Sequence, residues 1–120
     1  MLIIAEIYSD EVIKFPKNDS KYRWTSHIKD KMMFYRISEQ KIKTILKTPD
    51  RKEEGIALDT FALMKRNDTP KRKEEVWVMY AGHPKKIMIS TWRYPGKSKP
   101  GKEIPIPDDI LEEIKKDWFN

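Results

Sequence analysis

His27 and Lys31 stand four residues apart in SHIKDKMMFY, a spacing that sets an imidazole and an ammonium on one side of a helix. Such a pair can move a proton and hold a phosphate, although the same spacing also fits a surface histidine beside a solvated lysine. A second concentration of reactive side chains closes the segment IMISTWRY. Strand alternation there groups Thr91 with Arg93 on one face and Ser90, Trp92 and Tyr94 on the other. Arg93 can grip a phosphate through two parallel hydrogen bonds and Thr91 can add another, so the Thr91/Arg93 face is the expected site. As scaffolding, the two would be a sheet threonine and an exposed cation. Tyr94, at the strand's end, can offer its phenol or its ring to a base. Trp24, Trp77, Trp92 and Trp118 fall on expected apolar faces and read as packing residues rather than stacking platforms. His83 lies in a Gly-His-Pro turn, where an imidazole often only tolerates an unusual backbone conformation. No HxH or HExxH spacing occurs, so neither a metal nor another cofactor is expected.

The elements that must position these groups follow from periodicity. Leu2 to Ile7 and Val12 to Phe15 read as a short hairpin, and Pro16 to Lys21 as a turn. Trp24, Ile28, Met32 and Tyr35 recur at helical spacing and predict a first helix. Ser38 can cap a second, with Glu39 at its positive end, Ile42, Ile45 and Leu46 inward and Pro49 as its stop. IALDTFALM alternates well enough for a strand, with a short helix as the rival reading. EVWVMYA and KIMISTWRY, rich in β-branched and aromatic residues and joined by Gly82-His83-Pro84-Lys85, predict a hairpin. Arg66 to Lys73 and Pro95 to Pro107 read as basic connections, and Pro107 opens a last helix with Ile110, Leu111, Ile114 and Trp118 as its stripe. Helices segregated from strands predict an α+β fold, two helices packed on an antiparallel sheet with an N-terminal hairpin and a C-terminal helix added. At 120 residues the chain suits a single domain, 1–120.

Composition narrows the chemistry further. The chain has no cysteine, which removes disulfides, thiolate catalysis and cysteine-ligated metal sites. Its 38% hydrophobic and 37% charged residues describe a core under a heavily charged surface. The short apolar run at the N-terminus has no basic segment before it and is followed by Glu6 and Asp10, so neither a signal peptide nor a membrane span is expected and the cytoplasm is the default location. Twenty-five Lys and Arg against 19 Asp and Glu give +6, a balance that favours polyanionic partners.

One resemblance ties these pieces together. His27 with Lys31-Met32, Ile37-Ser38, Thr48-Pro49-Asp50 and the closing IMISTWRY before a basic tail resemble the RelE- and BrnT-like group of small RNase toxins, over Ser26 to about Gly96. In that group a helix pair precedes an antiparallel sheet, and an acidic antitoxin usually neutralises the toxin. The resemblance implies metal-free RNA cleavage by internal phosphoryl transfer. On this chain it offers His27 as base or acid, Lys31 and Arg93 as electrostatic stabilisers, and Thr91 and Tyr94 from the final strand. The chain departs from the pattern at Lys31 and Tyr35, where relatives often carry arginine, and at Arg36, where they carry glycine. The alternatives are a non-catalytic RNA- or protein-binding domain of the same fold, gripping phosphates with its basic loops, and a phage or mobile-element accessory protein that docks through its C-terminal helix.

Overall fold

The computed structural model describes residues 16–55, 59–82 and 85–101. The expected N-terminal hairpin, the C-terminal helix and His83 lie outside the described residues. Within them the order is β1 (Tyr22–Trp24), α1 (Ser26–Tyr35), α2 (Glu39–Lys47), β2 (Arg51–Glu54), β3 (Thr60–Arg66), β4 (Glu74–Ala81) and β5 (Lys86–Pro95). The strands form one sheet in the order β1-β5-β4-β3-β2. The result is an α+β fold with both helices packed on one face of a mixed sheet.

β3, β4 and β5 pair antiparallel, as expected, and β2 adds an antiparallel edge on β3, whereas β1 adds a parallel edge along β5 through Lys86, Ile87 and Met88. Neither β1 nor β2 is legible as a strand. YRW is too short to show alternation, and RKEE carries no apolar residue at all. β2 is held instead by its partner, with Arg51 to Glu54 opposite Met64 to Phe61. Gly55, just past β2, is required by close approach: a Cβ there would collide with the Thr60 side chain.

Each helix starts on the hydroxyl its sequence supplies. Thr25 caps α1 by accepting from the Ile28 N–H, and its own hydroxyl donates to the Met88 carbonyl at 2.9 Å, so one side chain fixes both the helix start and its place over β5. Ser38 caps α2 by accepting from the Lys41 N–H. Between them α1 ends at Arg36 in the left-handed conformation, φ 56°, with its N–H on the Met32 and Met33 carbonyls. That is the conformation glycine adopts without steric cost, which explains why a glycine would suit this position.

The core lies between the helices and this face of the sheet. Ile28 and Met32 of α1 and Ile42 and Ile45 of α2 pack with Leu63, Val76, Val78, Tyr80 and Met88. Of the stripe expected for α1, Trp24 belongs to β1 but is buried in the same cluster, and Tyr35 packs at its margin. β4 is central and buried along its whole length. Its alternate residues Trp77, Met79 and Ala81 belong to two smaller clusters on the opposite face.

Because Ile45 is fully buried, Ile45→Ala should lower the unfolding free energy by about 2–5 kcal/mol in urea titrations followed by circular dichroism. The exposed neighbour substitution Gln40→Ala should change it by less than about 0.5 kcal/mol.

Candidate functional site

His27 sits in the first turn of α1, near the Met88 end of β5 that Thr25 holds. Arg93 lies at the other end of that helix. Its Nε donates to the Tyr35 carbonyl at 2.8 Å, one Nη donates to the Arg36 carbonyl at 3.2 Å, and the other meets the Glu74 carboxylate at 2.9 Å. The eight residues from His27 to Tyr35 rise roughly 12 Å, so the imidazole and this guanidinium do not converge on one phosphate. Thr91 is fully buried and donates to the Trp77 carbonyl at 2.6 Å. Lys31 holds its ammonium 5.7 Å from the centre of the exposed Phe34 ring. The Thr91/Arg93 face is thus the helix-packed face, and Arg93 is the C-terminal cap of α1. Tyr94, on the other face, is exposed at a pocket.

That pocket, of about 570 Å³, is lined by Arg51, Glu53, Trp77, Trp92, Tyr94, Lys97, Ser98 and Lys99. Trp77 and Trp92 are direct partners across β4 and β5, and their indoles lie parallel within 4° with centroids 5.8 Å apart. The Arg51 guanidinium from β2 sits 4.7 Å from the centre of the Trp77 ring. An aromatic pair and a cation therefore form one continuous wall, and cations over indole are the strongest of the cation–π pairs.

Glu75 organises this wall from beneath. Its carboxylate, 1% exposed, accepts from Trp77 Nε1 at 2.9 Å, from Ser98 Oγ at 2.6 Å, from the Ser98 N–H at 3.1 Å and from Arg66 at 3.1 Å. Arg51 in turn donates to the Ser98 carbonyl and hydroxyl. Residues 96–101 are thereby strapped across the end of the sheet. Gly96, at φ 83°, makes the turn into the strap with its N–H on the Lys73 carbonyl, and the Gly101 N–H closes it on the Glu53 carboxylate. With Ser98 pinned inward, its neighbours Lys97 and Lys99 are carried exposed on the pocket wall.

Burial pushes the Glu75 carboxyl up, but the Ser98 hydroxyl, the Trp77 N–H, the Ser98 N–H and Arg51 outweigh it and hold the group below its ordinary 4.5. Glu74, next to it and on the opposite face, is likewise raised by burial and lowered further by Asn67, Arg72 and Arg93. Among the described residues no cluster of His, Asp and Glu is placed to hold a metal ion. None of their helices is long and apolar enough to cross a membrane.

Comparison with protein-family models, with curated proteins and with solved structures yields no match. What this chain can bind is read from the pocket itself. An aromatic wall, a guanidinium stacked on it and two lysines on a pinned strap suit a ligand that is both planar and anionic. Trp77 and Trp92, expected as packing residues, form the pocket wall, and Arg51, Glu75 and Ser98 carry no mark in the sequence of their part in it. The available signal was the pair of tryptophans in neighbouring strands of one hairpin, which only the strand register could bring face to face.

Two outcomes follow. Arg93→Ala removes three hydrogen bonds and leaves Glu74 short of a partner, so it should cost about 3 kcal/mol of unfolding free energy in urea titrations, with pocket binding retained in the folded fraction. Glu74 and Glu75 have folded values below their unfolded ones, so each contributes stability that is present at neutral pH and lost as pH falls through and below 4.5. Unfolding free energies measured across this range should therefore drop with acid in the wild type and drop less steeply in Glu75→Gln.

Proposed function

We propose that this protein binds RNA at the pocket that β2, β4, β5 and the strap form at one end of the sheet, on the face opposite α1 and α2. The observation that carries this reading is the Trp92–Trp77–Arg51 row with Lys97 and Lys99 beside it. Aromatic rings give every base a stacking surface, and lysines give each phosphate a mobile counter-charge. The chain's +6 balance raises the local concentration of any polyanion near this face.

An endoribonuclease of the toxin type, cleaving without metal, is the second reading, and Tyr94 and Glu53 favour it because both line this pocket next to Arg51. Cleavage there would join the ribose 2′-oxygen to phosphorus and break the bond from phosphorus to the 5′-oxygen. A base takes the 2′-hydroxyl proton and an acid returns one to the leaving oxygen. Arg51 and the strap lysines would stabilise the crowded phosphate. On this reading catalysis belongs to the Tyr94 face, and His27, Lys31, Thr91 and Arg93 act on the fold. An acidic antitoxin and a cytoplasmic location remain part of the toxin reading.

The experiment is RNA binding by anisotropy over a series of salt concentrations, with RNA integrity read in the same tubes in the presence of chelator. Binding should weaken steeply with salt, and the double substitution Lys97→Ala, Lys99→Ala should flatten the log–log slope by about 1.4 for a single strand. Fragments ending in cyclic phosphate from the wild type, and none from Tyr94→Phe, would establish the nuclease reading. Intact RNA with preserved binding would establish a binding domain, and no salt-dependent binding would overturn both.

A further inference from the structure

We infer that the pocket accepts one unpaired nucleotide, with its base against the Trp92 indole and its phosphate between Lys97 and Lys99, so that the protein distinguishes single-stranded from duplex RNA. This deepens the reading of the face as an RNA site and rests on it.

Three observations carry the inference beyond general affinity for polyanions. The first is size. A volume of about 570 Å³ falls within the range of pockets that enclose a small organic ligand, roughly 300–1,000 Å³, and a duplex groove contact needs no such recess. The second is the state of the aromatic wall. Trp77 is buried, with Trp92 parallel to it and Arg51 over its ring, whereas Trp92 is only half-buried and Tyr94, two residues on along the same strand face, is 42% exposed. The surface left for a third flat ring is therefore Trp92, with Tyr94 beside it. A base reaches such a surface only when it is out of its own duplex stack.

The third is the rigidity of the groups that flank it. Ser98 is held by Glu75 through both its N–H and its hydroxyl and accepts from both Arg51 Nη groups, so the strap's position is set before a ligand arrives. Lys97 and Lys99 line the pocket, are exposed and make no ion pair among the described residues, so their ammonium groups are open to a phosphate. A preformed pocket with two adaptable charges loses little entropy on binding one nucleotide.

The test uses the full chain and three probes: adenosine monophosphate, read by quenching of tryptophan fluorescence, and a short labelled oligoribonucleotide, single-stranded or annealed to its complement, read by anisotropy. The expected result is quenching by the mononucleotide and preference for the single strand, with Trp92→Ala weakening both by roughly 5- to 150-fold. Trp92→Leu, checked by circular dichroism, gives the same answer if Trp92→Ala fails to fold. Equal binding of single strand and duplex, unchanged by either substitution, would overturn the nucleotide pocket while leaving RNA binding through the basic loops in place. Mononucleotide binding without binding of either RNA would keep the pocket and overturn the RNA reading. No binding of any probe would overturn both.

Discussion

Two neighbouring carboxylates in the central strand govern this structure. Glu74 and Glu75 follow each other in β4, so the pleat sends them to opposite faces of the sheet, and both are buried. A buried carboxylate must be matched by cations and N–H donors or it will not stay ionised. On the helix face Glu74 is met by Arg93 from β5, Arg72 and Asn67. On the other face Glu75 draws Arg66 from β3, Arg51 from β2 and the strap through Ser98. Four basic side chains from different parts of the chain are thus oriented from one dipeptide. Pairs of this kind add less to net stability than their number suggests, because desolvation offsets most of the attraction. Their consequence here is positional. Arg93 is turned inward to cap α1, and Arg51 is held over the Trp77 ring.

Much of the fold was legible because hydrophobic period and capping residues agree locally. Ser38 caps the second helix as its type and position imply, Ile42 and Ile45 are buried as their spacing implies, and β3, β4 and β5 fall on the segments with strand composition. The grouping of Thr91 with Arg93 against Trp92 with Tyr94 was also sound. Which group faces the helices was not legible, and a single irregularity explains why. The β4–β5 pairing shifts by one residue at Met79/Tyr80, so that Ala81 and Tyr80 oppose Ile87 and Met88 but Met79 opposes Ser90. Without that bulge, extending the pairing from the turn would set Thr91 opposite Trp77 and turn Trp92 toward the helices. A bulge adds one residue and exchanges the two faces of everything beyond it. Alternation read from sequence gives which residues share a face, whereas the assignment of that face depends on an irregularity with no sequence mark of its own.

β1 and β2 were illegible for a different reason. A strand of three or four residues has too few positions to display a period, and β2 is made of charged residues whose partners are distant: Arg51 reaches Ser98, and Glu53 reaches Gly101. Its role is to deliver a guanidinium and a carboxylate to one end of the sheet, and such a role appears only once the strands are side by side. The candidate site was hidden for the same reason, since its wall joins β2 to the β4–β5 hairpin and the strap, and β2 is separated from that hairpin by β3 and a loop.

The division of charge within the pocket decides what kind of selectivity it can have. Arg51 lies 3.3 Å from Glu53 and 3.7 Å from Glu75, so much of its charge is answered inside the protein while it keeps its place over the Trp77 ring. Lys97 and Lys99 make no ion pair among the described residues and stand in solvent, where salt screens them over about 8 Å at physiological strength. The long-range pull on a polyanion therefore comes from the lysines and weakens with salt, while the short-range preference comes from indole and guanidinium surfaces that salt does not screen. A ligand held by phosphates alone would respond only to the first, and one that also lays a base on Trp92 responds to both. Selectivity for unpaired bases should accordingly rise with ionic strength even as total affinity falls, because screening removes the sequence- and structure-blind part of the attraction first.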